Sequence, residues 1–150
     1  MPGTFSNILL HVIFSTKNRA MAIKPDMQDT LCAFIGGIVR DERGTLLRAG
    51  GMPDHVHLLA RWRTDGAVSD LLRNVKGRSS KWMHDTFAEQ KDFAWQAGYG
   101  VFSVSQSQRD PVGRYIDDQA EHHRQKTFQD EFVGFLRAHQ IEYDERYIWE

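Results

Sequence analysis

Two histidines one residue apart, His55 and His57, lie in the stretch Gly51-Met52-Pro53-Asp54-His55-Val56-His57-Leu58-Leu59-Ala60-Arg61-Trp62. Its turn residues give way to strand-like alternation, which puts His55, His57, Leu59 and Arg61 on one face and Val56, Leu58, Ala60 and Trp62 on the other. Side chains at i and i+2 of an extended chain start roughly 6.5–7 Å apart at Cα, a gap that two imidazoles can close around one metal ion. Alone, such a pair on a strand is more often a surface or hydrogen-bonded pair than a ligand set. It acquires chemical meaning only with a partner site elsewhere in the chain. Asp54 suits capping the turn or orienting a histidine better than binding a metal directly.

Other residue types capable of chemistry fall in two places. A helical segment from about Asp110 to Arg124 places Val112, Tyr115, Gln119 and His122 or His123 along one side. A second helix carries Arg73, Lys76, Ser80, Lys81 and His84 opposite its apolar side, and Lys and Arg with a hydroxyl between them can track a phosphate backbone. On charge pattern alone a solvated helix face explains that row as well. The basic run Thr16-Lys17-Asn18-Arg19 reads equally as a solvated connection or a phosphate contact. The sequence contains no Ser-His-Asp, Cys-His, Walker or zinc-finger pattern.

The elements that must position these residues follow from the hydropathy pattern. A chain of 150 residues, 41% hydrophobic and 26% charged, is long enough for one domain spanning 1–150 with a real core. Its net charge of −1 gives no global field to steer it onto nucleic acid, so any such site must be local. The one apolar run near the start, Ile8 to Phe14, is too short to span a bilayer and reads as a buried strand. With a single cysteine, Cys32, no internal disulfide is available, which suits a reducing, cytoplasmic setting.

In chain order we expect a strand at Phe5–Ser15, a helix from Pro25 to about Arg43, a strand at Thr45–Ala49 and the His strand to Trp62. A helix from about Val68 to Phe87, a strand at 101–104, the Tyr115 helix and a last helix at Gln129–His139 follow. Two β-α-β halves of this kind form an α+β, ferredoxin-like (RRM-like) fold: an antiparallel sheet with helices on one face, here with a C-terminal helical addition. The other face is where His55 and His57 look outward or meet the Tyr115 helix.

Taken together, Met52-Pro53-Asp54-His55-Val56-His57-Leu58-Leu59, then Lys76-Gly77-Arg78-Ser79-Ser80-Lys81-Trp82, then Arg114-Tyr115-Ile116-Asp117-Asp118-Gln119 with Glu121-His122-His123, resemble the HUH single-tyrosine transposases. These are the transposases of the insertion sequence 200/605 type and their REP-associated relatives, and the order and spacing of the motifs carry the likeness over nearly the whole chain. The resemblance implies that His55 and His57 are the metal pair, Tyr115 the nucleophile and Gln119 the polar residue completing the metal site. It further implies DNA contacts from the helix face of Arg73, Lys76, Arg78, Ser80 and Lys81, beside which Lys17 and Arg19 of the basic loop are candidate contacts by residue type, and a divalent metal (magnesium or manganese), a single-stranded DNA partner with a hairpin, and often a homodimer.

The chemistry is coherent. A phosphodiester resists attack because its oxygens are negative, so a cation is needed to offset developing charge. Attack by a tyrosine conserves the bond energy in a phosphotyrosine and frees a 3′-hydroxyl. Two imidazoles suit manganese at least as well as magnesium. A free phenol has a pKa near 10, so attack at neutral pH needs a proton acceptor or stabilisation of the phenolate. Three rivals make distinct predictions: a non-catalytic nucleic-acid-binding relative, a hydrolase that activates water and would survive loss of Tyr115, and a small metal-binding or structural protein without DNA affinity.

Overall fold

The computed structural model describes residues 3–150. Four strands, β1 (Ile8–Ser15), β2 (Thr45–Met52), β3 (His55–Trp62) and β4 (Gly100–Val104), form one sheet in the order β2-β3-β1-β4, every neighbouring pair antiparallel. Helix α1 (Pro25–Asp41) connects β1 to β2, and α2 (Val68–Thr86) connects β3 to β4. This is the expected ferredoxin-like topology, with its two split β-α-β units.

Alternation along β1 and β3 divides the sheet into two chemically different faces. Leu10, Val12 and Phe14 of β1 and Val56, Leu58 and Trp62 of β3 pack with Leu31, Ile35 and Ile38 of α1 and Leu71, Leu72 and Val75 of α2. Each such side chain contributes roughly 1.5–3 kcal/mol by leaving water. The opposite face presents Ile13, His11, His55 and His57, and the C-terminal addition covers it. Phe128, Phe132 and Leu136 of α5 (Phe128–Ala138) close over Ile13 and Phe102.

Between β4 and α5 lie α3 (Arg109–Asp117) and a single helical turn, α4 (Gln119–His122). The sequence pattern predicts one helix to about Arg124; instead the chain leaves helical geometry at Asp118 (φ −99°, ψ 27°). Consecutive aspartates are poor helix formers, and the break lets both Gln119 and His123 turn toward the sheet. Helix α3 has Gln108 as its N-cap, and Pro111 sits inside the first turn, where a missing N–H costs nothing. The first strand is shorter than its apolar pattern suggests, since Phe5 is exposed and pairing begins at Ile8.

Helix α3 rests directly on β2. A Cβ built on Gly50 would lie 2.8 Å from the carbonyl oxygen of Ile116, and the Arg48 side chain runs along Gly113 to pair with Asp117. The close approach at Gly50 sets the height of Tyr115 above the sheet. Gly50→Ala is therefore expected to cost about 1–3 kcal/mol in denaturant unfolding.

Candidate active site

Strand alternation puts His55 and His57 on the face covered by α3, α4 and α5, and both rings are fully buried. Each is oriented through its Nδ1. His55 Nδ1 meets Asp54 Oδ1 at 2.7 Å, and His57 Nδ1 meets Nε2 of His11 at 2.8 Å. That leaves both Nε2 atoms facing one pocket. Asp54 thus orients a histidine, as its place at the turn suggests. His11, on the inward face of the apolar strand that pairs with the His strand, is a further positioning residue.

Gln119 is buried, with its Oε1 3.1 Å from His55 Nε2 and 3.2 Å from His123 Nε2. Tyr115 is half-buried one turn earlier; its ring stacks on His122 and meets the edge of His57 at a centroid distance of 5.8 Å. Its hydroxyl donates to Oε2 of Glu131. The other carboxylate oxygen of Glu131, Oε1, lies 3.0 Å from His57 Nε2, 3.2 Å from His123 Nε2 and 3.4 Å from His55 Nε2. His55, His57, Gln119 and Tyr115 therefore converge on one pocket.

Glu131 was not visible as a site residue in the sequence, although a signal existed. It falls on the apolar stripe of α5 between Phe128, Phe132 and Phe135, where a carboxylate must have partners inside the protein. The Thr127 side chain caps α5 by accepting from the Asp130 N–H, so Glu131 sits in the first turn, at the helix's positive end. Of His122 and His123, which the sequence offers as alternatives on the Tyr115 side, His123 faces the donor cluster because the chain leaves helical geometry at Asp118.

The electrostatics follow from this crowding. Burial disfavours charge on His55, yet hydrogen bonds to Asp54 and Glu131 outweigh it and push its pKa up to about 9. Burial lowers His57, and burial with the neighbouring His57 brings His11 down to about 3. Burial would raise Glu131, but hydrogen bonds from His55 and His57 hold its carboxyl far below the usual range. Burial, reinforced by the Glu131 carboxylate, raises the Tyr115 phenol. His55 thus lies between two carboxylates, Asp54 at 2.7 Å on Nδ1 and Glu131 at 3.4 Å on Nε2.

These shifts set the pH dependence of stability. His55 is raised above its unfolded value of 6.5, so its contribution is complete below that pH and fades as pH rises toward about 9. His11 and His57 are lowered, and Glu131 lies below its ordinary 4.5, so their contributions are lost as pH falls beneath those values. Thermal melts of the chelator-treated protein should show maximum stability near pH 6.5, declining on both sides.

The donor set fits a divalent ion. One donor atom from each of His55, His57, His123 and Glu131 lies within 4.8 Å of the others, with Gln119 Oε1 alongside. Ligand atoms about 2.1 Å from an ion sit roughly 3–3.5 Å apart, close to the spacings seen here. Nitrogen-rich ligation of this kind suits manganese and other transition ions better than magnesium.

The basic residues are distributed differently. Helix α2 packs on the other face of the sheet, so Arg73, Lys76, Arg78, Ser80 and Lys81 do not enter the His pocket. Several have protein partners: Arg73 with Asp70, Arg78 with Asp41 and Lys81 with Asp85. Lys76 donates to the Ala97 and Gly98 carbonyls beneath Tyr99, and burial lowers it to about 8. With Arg73, Ser80 and Tyr99 it lines a groove of about 550 Å³. Lys17 and Arg19 lie at the end of β1, where Asn18 and Arg19 adopt left-handed backbone (φ 56° and 54°) and the Arg19 guanidinium covers Trp149.

A family described as "Transposase IS200 like" matches residues 4–119, which include β1, the His strand, Tyr115 and Gln119. The chain belongs to the IS200-like transposase family. It is accordingly a DNA transposase, and the family implies a divalent metal, for which the pocket has a matching donor set. The ISDra2 transposase TnpA of Deinococcus radiodurans is 26% identical over 114 residues, covering 73% of this chain and 81% of that relative. A solved transposase structure from the same organism superposes with a TM-score of 0.64 at 26% identity, covering 79% of this chain and 95% of that one. A REP-associated tyrosine transposase, solved bound to a REP hairpin, shares the fold with a TM-score of 0.61 at 15% identity, covering 82% and 72% of the two chains. Among the described residues no helix of this IS200-like transposase is long and apolar enough to cross a membrane.

Proposed function

We propose that this IS200-like transposase cleaves and rejoins single-stranded DNA through a covalent bond between Tyr115 and a 5′-phosphate. The observation that carries this reading is the convergence of a tyrosine hydroxyl with two Nε2 atoms in one pocket, all from a single chain. Attack of Tyr115 Oη on phosphorus forms the phosphotyrosine and expels a 3′-hydroxyl; the same hydroxyl, or that of another strand, reverses the step without ATP. The phenolic proton has an immediate acceptor in Glu131 Oε2. Stacking on His122 and the edge contact with His57 fix the ring while Gln119 returns a hydrogen bond to the Tyr115 carbonyl.

His55, His57 and Gln119 would hold the divalent ion, magnesium or manganese, which when bound offsets charge developing on the phosphate oxygens. Asp54 and His11 keep the two imidazoles aimed at it.

The substrate we propose is hairpin-bearing single-stranded DNA, supported by the hairpin on the REP-associated neighbour. Lys17, Arg19, Arg73, Lys76, Arg78, Ser80 and Lys81 are proposed to contact its backbone, exchanging intramolecular partners for phosphates. The setting is cytoplasmic. In a homodimer, which the resemblance implies, the second copy would handle DNA rather than complete the pocket.

The test is incubation of 5′- and 3′-labelled hairpin oligonucleotides with protein and manganese. A denaturant-resistant adduct carrying the 3′ label is expected. Cleavage to two free strands with no adduct would instead favour the metal-activated hydrolase.

A further inference from the structure

The family match ends at residue 119, yet two of the four clustered donors, His123 and Glu131, come after it. Glu131 is almost fully buried in a place where a carboxylate is expensive unless charge or hydrogen bonds compensate. Its Oε1 faces three Nε2 atoms at 3.0, 3.2 and 3.4 Å, from β3 twice and from the chain after α4 once. Its Oε2 holds the Tyr115 hydroxyl. Three imidazole nitrogens, each at the spacing of neighbouring ligands from one carboxylate oxygen and all within 4.8 Å of one another, form a more complete cation site than two histidines and an amide.

We propose that Glu131 of α5 is a metal ligand through Oε1, joined by His123, and that its Oε2 ties the Tyr115 hydroxyl to the same ion's coordination shell. The C-terminal helix then belongs to the catalytic centre rather than only to the packing of the sheet. One carboxylate sets the distance between nucleophile and cation. An ion held there would take the place of the contacts that now join Glu131 Oε1 to the imidazole nitrogens. His57 passes its remaining N–H to His11 through Nδ1, so both orienting contacts survive.

This inference rests on the metal-dependent reading of the pocket, and two measurements separate them. Titration calorimetry with manganese chloride should show Glu131→Gln, which preserves shape, binding about tenfold or more weaker than wild type. Tyr115→Phe should bind manganese as wild type does. Equal affinity of a folded Glu131→Gln variant overturns the proposal. In manganese-soaked wild-type crystals the anomalous peak should lie about 2.2 Å from Glu131 Oε1. A peak bound by His55 and His57 but more than about 3 Å from that oxygen overturns the proposal on protein that carries no mutation. Absence of any manganese on the His55–His57 pair would defeat the metal-dependent reading itself.

Discussion

Tyr115→Phe is expected to abolish the covalent protein–DNA adduct, leaving less than about one part in 1,000 of the wild-type rate. Losing the nucleophile removes the reaction path itself, whereas losing a general catalyst costs about 10²–10⁴-fold. The change deletes one oxygen at a half-buried position and keeps the ring stacked on His122 and edged on His57. Fold and hairpin affinity should therefore be retained, which gel shift on the same oligonucleotide checks. The result separates the rivals. A hydrolase activating water through His55 and His57 would still cleave, and a pure DNA-binding relative would form no adduct with either protein.

The second large effect is at His57. Truncation to Ala removes a donor aimed into the pocket and strips Glu131 and His11 of a partner at 3.0 and 2.8 Å. Divalent-metal affinity is expected to fall by about 100-fold or more, with adduct formation falling alongside it. Because the ring is fully buried, stability should also drop by about 2–4 kcal/mol, combining a cavity with polar groups left unpaired. Calorimetry and denaturant unfolding in chelator read the two losses separately. Wild-type metal affinity in this variant would show that the His strand is not the metal site.

The parts of this site nearest to regular secondary structure were legible in the residues. Period-two alternation after Pro53 placed His55 and His57 on one face, and i, i+4 spacing brought Gln119 beneath Tyr115. Their meeting required only that the C-terminal helices cover the sheet. What escaped was set by tertiary geometry. The choice of His123 over His122 for the donor cluster follows from the chain break at Asp118, and a break of a few tens of degrees has no periodic signature. Glu131 could have been suspected from its place on an apolar stripe, but its partners lie 74 and 76 residues earlier in sequence. The basic row of α2 was visible as a pattern, and its place on the opposite face of the sheet from the histidines follows from the ferredoxin-like arrangement, which keeps α1 and α2 on one face.

The most direct measurement is tandem mass spectrometry of the trapped adduct after nuclease and protease digestion. Tyr115 should carry the residual 5′-nucleotide, on a peptide that also contains Gln119. A nucleotide on exposed Tyr147 or Tyr99, or on a serine, would contradict the assignment, because neither tyrosine is among the side chains that converge on His55 and His57.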